Sequence, residues 1–464
     1  MASLEDLLQS HKNTVDLLRN SQMGPNVYPG IPAEYTNWRD EQEAWQKTCV
    51  LYTQSFHMAD LAVEGPDALK MLNHLAYNTF KSFVPDKAKQ FAPVSYDGYI
   101  IGDVILFYLG ENKFNLVGRA PALNWVMFHA ASGNWNVKVE LDQRTAMRKD
   151  PSRRKSYRYQ VQGPNAMAAI EKALGKKPPE LKFFNMTKVE IAGKTVTALR
   201  HGMAGQPGFE FFGPWEDGQA VREALVKAGE EVGIKQVGSR AYGTNALESG
   251  WIPSPLPAVY TGEKMKPYRQ WLPAEGYEGT LSLGGSFLSN RIEDYYFTPW
   301  DLNYDGFIKF DHDFIGREAL EKMQSGKHRR KMTLALNDDD VTSVIHSAFS
   351  KDQRGKWIEL PHAVYCMHQF DRVLVGGKPV GVSTWIGYSS GERKMLSLAV
   401  LDADVAEPGQ EVTLVWGEEN GGTRKPTVEK HVQTEIRGIV SPAPYVEVVR
   451  TAYAPGGWRK AANA

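Results

Sequence analysis

The chain has 464 residues, enough for two to four domains at roughly 100–200 residues each. Hydrophobic residues make up 42% and charged residues 23%, a globular balance that excludes a disordered chain. Lys+Arg and Asp+Glu are both 54, which excludes a global field drawing in DNA, RNA or an anionic membrane.

The first stretch, "MASLEDLLQSHKN", has acids where a signal peptide needs bases, and no long apolar core. The most apolar run, "YIIGDVILFYL" (Tyr99–Leu109), falls well short of the ~20 residues of a membrane span and contains Asp103. Two cysteines, Cys49 and Cys366, allow neither a disulfide framework nor a Cys-rich metal site. A soluble, cytoplasmic protein is expected.

One internal echo organises the first half. "LAVEGPDALKMLNHLAYN" (Leu61–Asn78) and "YQVQGPNAMAAIEKALGK" (Tyr159–Lys176) share a short strand, a Gly-Pro pair and a helix. The prolines are expected to open those helices, where a missing N–H costs nothing, with apolar residues behind them at helical spacing. Strand-like runs follow each helix, then the amphipathic stretches "APALNWVMFHAA" and "GQAVREALVKAGEEVG". Two related α+β modules are therefore expected, over 1–145 and 146–328. Between them "RTAMRKDPSRRKSYR" (Arg144–Arg158) holds seven basic residues and one acid, and reads as a solvated interdomain segment. From about Arg330 short strands with Gly-Gly and Pro-Gly punctuation predict a compact all-β sandwich or barrel over 329–464. "NDDD" (Asn337–Asp340) reads as a solvated loop.

Phosphate-loop, H-E-x-x-H and G-x-S-x-G motifs are absent from the sequence. "GMAGQPGFEFFGPW" (Gly202–Trp215) spaces its glycines G-x-x-G-x-x-G and leads into a strand, whereas phosphate binding wants a helix N-terminus. Glu210 stands there among Phe209, Phe211 and Phe212, and a buried carboxylate is costly unless something bonds it. Alternation puts it on the face opposite Phe209 and Phe211. Either the N–H edge of a flat heterocycle or a nearby arginine would satisfy it. "QSFHMADL" places Gln54 and His57 ahead of a strand, and "NLVGRAPA" sets Arg119 at a strand-to-helix junction, where its fork of donors suits a ligand carboxylate. "GSRAYGTNALESGWIPSPLP" reads as a helix carrying Tyr242 and Glu248, broken near Gly250, with Trp251 free to stack on a ring.

In this order "VEGPDALKMLN", "IIGDVILF", "GMAGQPGFEFFGP", "GSRAYGTNALESGW" and "KFDHDFIGREAL" resemble the folate-binding aminomethyltransferase fold, typified by the T-protein of the glycine cleavage system. The further stretches "NVYPGIPAEYTNWRDEQEAW", "HMADL", "VGRAPALNW", "LRHGMAGQPG", "ESGWIPSPLP" and "WGEENGGTRKPTVE" are most similar to tetrahydrofolate-dependent aryl O-demethylases acting on lignin-derived syringate and vanillate. The resemblance implies an α+β three-domain fold, with two modules around a central folate site and a C-terminal β-barrel. It implies that Glu210 grips the pterin edge behind glycines that give the ring room, and that Trp251 lies against the folate. Asp103 matches an aspartate near the reactive folate nitrogen, although the substrate here is not an aminomethyl group. Gln54, His57, Arg119 and Tyr242 match residues around the aromatic substrate; Tyr28 lines the same pocket and Phe56 shapes it.

An aryl methyl ether is inert because its leaving group is a phenolate. Transfer to nitrogen 5 of tetrahydrofolate needs alignment, worth ~7–11 kcal/mol, and charge relief at the departing oxygen, typically ~10²–10⁴-fold. His57 and Tyr242 are the candidate donors, and Arg119 would balance the substrate carboxylate. The implied partners are a small aromatic acid and tetrahydrofolate, with no metal and no obligatory protein partner. An aminomethyltransferase serving a lipoylated carrier, or a folate-binding assembly factor, would be the rivals. The latter carry a "KGCYxGQE" signature, which this sequence lacks.

Overall fold

A computed structural model describes residues 2–147, 154–253 and 255–453. The internal echo becomes two sheets of like topology. The first is a five-stranded sheet in the order Lys87–Phe91, Val104–Gly110, Lys113–Gly118, Ala59–Glu64, Lys138–Asp142, antiparallel throughout. In the second, Met186–Ile191, Lys194–Arg200, Gly208–Pro214 and Ser156–Gln162 repeat the first four places. Strand Cys49–Thr53, buried along its whole length, then slips between Ser156–Gln162 and the short strand Ile234–Gln236. The N-terminal part of the chain thus completes the sheet of the second module. Phe107 of the first sheet meets Phe212 of the second at 5.2 Å, within a small core the two sheets share.

Both Gly-Pro pairs are sterically required. Gly65 and Gly163 have φ of 138° and 130°, and a Cβ on them would lie 2.4 Å from the Asn136 carbonyl oxygen and 2.6 Å from that of Thr48. The prolines do not open the helices as expected. Asp67 and Asn165 cap Ala68–Leu75 and Ala166–Leu174, so Pro66 and Pro164 sit one residue ahead of the cap and only fix the entry of the chain.

The barrel expected from about Arg330 is present and closed, with six strands in the order Arg330–Leu336, Lys394–Leu401, Lys378–Ser389, Asp371–Val375, Glu411–Trp416, Thr434–Ser441. "NDDD" is not a loop. Asn337 caps helix Asp338–His346 by accepting from the Asp340 N–H, and the acids fill its first turn, where the helix dipole favours them. The predicted helix around Tyr242 is two short helices, Ser239–Tyr242 and Asn245–Ser249, ended by Gly250 at φ 64°. Glu248 fixes them in place: its carboxylate accepts from Trp45 Nε1 at 2.6 Å, Gln46 at 3.0 Å and the Ser389 hydroxyl at 2.7 Å. That ties the N-terminal helix Trp38–Lys47, the site helices and the barrel together. Among the described residues no helix is long and apolar enough to cross a membrane.

The basic stretch also departs from expectation. Residues 148–153 lie outside the described residues, but Arg154 and Arg158 are buried, not solvated. Arg154 bonds Asp142 and Asp60, both at 3.0 Å, and the Ser55 and Met58 carbonyls at 2.7 and 2.9 Å. Carboxylates from both sheets had no counterpart in the local sequence pattern, and these arginines supply it.

Candidate functional site

Three segments far apart in sequence converge on one aromatic cluster. His57 lies in the turn after strand Cys49–Thr53, Tyr242 ends helix Ser239–Tyr242, and Tyr28 comes from the N-terminal segment. Tyr28 stands 5.0 Å from His57 and 4.6 Å from Tyr242, and His57 stands 4.8 Å from Tyr242, between ring centroids. Phe56 does not join these rings. It packs on Trp215 at 5.7 Å and under Gly30, whose φ is 78° and where a Cβ would fall 2.6 Å from the Phe56 ring. Phe56 therefore supports the loop that carries Tyr28. Gln54 lies beside the Tyr242 hydroxyl and starts a buried glutamine chain. Its amide donates to Gln160 at 3.1 Å, Gln160 donates to Gln162 at 3.3 Å, and Gln162 accepts from the Met203 N–H in the glycine loop.

Arg119, at the N-cap of helix Ala120–Ser132, supplies the charge of this end. Its Nη1 is buried and has no hydrogen-bond partner among the described residues. Burial pushes the His57 pKa down to about 3, helped by the charges of Arg119, Arg154 and Arg144, so the imidazole is neutral. Burial raises the Tyr242 pKa, and that of Tyr28 against the opposing pull of Arg119, so both phenols keep their protons.

The second end is built on Glu210, which is 3% exposed. As alternation predicts, Phe209 and Phe211 fill the core on one face of the strand and Glu210 takes the other. It forms an ion pair with Arg158, and its other oxygen is 3.7 Å from His201 Nδ1. Arg158 also reaches Asp60 at 3.4 Å and lies 4.8 and 4.6 Å over the rings of Phe107 and Phe212. Burial alone would raise the Glu210 pKa; the charges and hydrogen bonds of Arg158 and His201 together outweigh it and hold the carboxyl below its usual range. The arginine partner that the sequence left as one of two choices is thus present.

Two of the glycines before Glu210, Gly205 and Gly208, make room for the protein itself. A Cβ on Gly205, at φ 72°, would lie 2.4 Å from Val449 Cα in the C-terminal helix Glu447–Tyr453. One on Gly208 would lie 2.1 Å from the Val161 carbonyl oxygen of the adjacent strand. The expectation that these glycines clear space for a flat ring is corrected at both positions: close backbone packing demands them.

Asp103 and Trp251, a hydrogen-bonded pair, form a third group. Asp103 Oδ2 accepts from Gln90 at 2.8 Å, Trp251 Nε1 at 3.1 Å and the Tyr304 hydroxyl at 3.1 Å, while Oδ1 is buried without a partner among the described residues. Lys331, from the first barrel strand, is pushed down to about 8 by burial against the pull of Asp103. Trp251 leaves 40% of its surface exposed, so one side of the indole is open.

Sequence reasoning missed His362, Tyr277 and Arg144 around Arg119, and Arg158 against Glu210. Arg119 carries its charge to His362 and Tyr277 as well as to His57 and Tyr28. Arg158 was findable, because "SYRYQV" is a strand of the same module as Glu210. Nothing local marks His362.

Comparisons with known proteins place the chain in a family. Residues 18–254 match the GCVT N-terminal domain. The chain is 59% identical over 457 residues, 98% of each chain, to a syringate O-demethylase of Sphingobium sp. strain SYK-6. It is 27% identical over 438 residues, 90% of this chain and 91% of the relative, to a sesamin methylene transferase of a Sinomonas species. Among solved structures it is similar to the glycine cleavage system aminomethyltransferase T from Bartonella henselae, with a TM-score of 0.59 and 19% identity over 92% of this chain and 95% of that one. That likeness speaks for the fold alone. With two echoing modules, a closed barrel and a family match over half its length, the chain belongs to the GCVT family.

Proposed function

We propose that this chain is a tetrahydrofolate-dependent O-demethylase of methoxybenzoates, with syringate as first substrate and vanillate and 3-O-methylgallate next. The carrying observation is the aromatic cluster of Tyr28, His57 and Tyr242 beside an Arg119 whose buried Nη1 has no hydrogen-bond partner among the described residues. A benzoate brings both a ring for the cluster and an anion for the arginine.

The residues present fit tetrahydrofolate. An unpartnered buried acceptor, Asp103 Oδ1, sits beside a half-open indole, and Glu210 offers an ionised carboxylate. Glu210, Asp103 and Trp251 would hold it; when bound it supplies the nitrogen that accepts the methyl group. Tyr242, kept protonated, donates a hydrogen bond to the ether oxygen as the carbon–oxygen bond breaks and its electron pair passes to that oxygen. His57, kept neutral, accepts from the neighbouring ring hydroxyl and orients it. Arg119 holds the carboxylate, and Gln54, itself held by the glutamine chain, positions the Tyr242 hydroxyl. That division refines the two-donor expectation: the phenol keeps its proton and can donate, while the neutral imidazole keeps a bare nitrogen that can accept.

The test is incubation of the purified protein with tetrahydrofolate and syringate, following the aromatic product and methylated folate together. Equal amounts of both are expected. No methylated folate with syringate, vanillate or 3-O-methylgallate would falsify the reading.

A further inference from the structure

We propose that His362, a residue of the C-terminal part of the chain, binds the substrate, donating its Nε2–H to the aromatic carboxylate beside Nη1 of Arg119. This rests on the demethylase reading above. His362 lies outside every segment that the sequence marked, just ahead of the barrel strand Asp371–Val375. It bridges to Gly387 of the barrel, and the Ala363 N–H donates to the Ile386 carbonyl at 3.0 Å.

Its place at the pocket follows from Gly243, the residue after Tyr242. A Cβ built there would lie 3.4 Å from His362 Nδ1 and 3.5 Å from the Tyr28 hydroxyl, so the imidazole and the phenol share that wall. Trp385 packs against His362 with ring centroids 4.3 Å apart and planes tilted by 46°, and donates its Nε1–H to the Gly243 carbonyl at 3.1 Å. A break of register between Ser383 and Trp385 re-aims that tryptophan toward the site. The ring is thus held from one side by the barrel and faces the site with the other.

Two donors are then left over. Arg119 Nη1 and His362 Nε2 are each buried with no partner among the described residues, and the Arg119 charge reaches His362. An unmade hydrogen bond on a buried polar group costs about 1–3 kcal/mol. A fold that leaves two of them near one charge is incomplete without an anion. A carboxylate has two oxygens to match. Burial and then Arg119 keep the imidazole neutral, with a pKa of about 3, so it carries one N–H. When Nε2 donates, Nδ1 is the bare nitrogen on the Gly243 side.

The experiment measures the dissociation constants of syringate, 2,6-dimethoxyphenol and tetrahydrofolate for the wild type, His362→Phe and His362→Gln. The wild type is expected to prefer syringate over the phenol, which differs only in lacking the carboxylate. His362→Phe should cut that preference about 10- to 100-fold, the range for one hydrogen bond to a charged group, and leave tetrahydrofolate binding unchanged. His362→Gln should lose about 3- to 10-fold, since its amide still donates, and carries the test alone if the Phe variant does not fold. An unchanged preference in the variants, or no preference in the wild type, overturns the proposal. A wild type that binds neither ring overturns the demethylase reading itself.

Discussion

Arg119 and Arg158 are kept in opposite ways. Arg158 is 3% exposed, paired with Glu210 and Asp60 and sandwiched between Phe107 and Phe212. Arg119 is half-buried, has an unpartnered Nη1 and spreads its charge over Tyr28, His57 and His362. At the Glu210 end the fold pairs its own charge, so Arg158 holds that wall in place before any ligand arrives. At the Arg119 end the fold leaves the charge for a ligand to neutralise. A stability cost should therefore follow the loss of Arg158, and a cost in benzoate binding the loss of Arg119.

The sharpest way to break that contrast is Arg158→Met. Removing one partner of a buried ion pair strands the others, here Glu210 and in part Asp60, and typically costs about 3–5 kcal/mol. Urea unfolding measures it, and Arg158→Met combined with Glu210→Gln should recover much of the loss. A cost below about 1 kcal/mol would mean that the pair does not hold this wall together.

Arg119→Met is the complementary change. Its thermal midpoint should equal or exceed that of the wild type, because an uncompensated charge leaves a half-buried site. Its syringate dissociation constant should rise about 10- to 100-fold, the value of a hydrogen bond between charged groups. Thermal unfolding and titration calorimetry read the two. A fall in midpoint as large as that of Arg158→Met would erase the distinction.

What the sequence revealed and what it hid divide along physical lines. The Gly-Pro echo was legible because the positive φ at Gly65 and Gly163, ahead of each helix, is a local demand that favours glycine. The barrel was legible from its turn punctuation. The insertion of Cys49–Thr53 into the second sheet was not, since a fully buried strand has no alternation to reveal its neighbours. The glycine loop leads into a strand, as read, but Gly205 and Gly208 do not clear room for a ring. Its steric partner, Val449, lies more than two hundred residues away and leaves no trace in the local pattern. His57, Tyr242 and Arg119 were legible as types at element ends, but their grouping was not. His362 was invisible for the same reason: the barrel carries it to Gly243 through contacts between distant segments.

The smallest effect separates the two ends by pH. Burial, then Arg119, lowers the pKa of His57 from 6.5 to about 3, so between those values the unfolded chain binds a proton that the folded chain does not. Stability from this group is whole above pH 6.5 and falls as pH drops toward 3, by at most about 1.4 kcal/mol per unit. Glu210 also has a lowered pKa, but its usual value is 4.5, so its contribution is intact above that pH and is lost only below it. Between pH 6.5 and 5, the wild type should therefore lose stability through its buried histidines. His129, lowered to about 4 by burial, and His362 add to the slope, so the variant is read against the wild type. His57→Gln should flatten the slope in this window and Glu210→Gln should leave it alone. Urea unfolding at half-unit steps of pH measures both. Equal slopes in the wild type and His57→Gln would mean that His57 titrates normally in the folded protein, and that the Arg119 end is not the dry, cation-rich site described here.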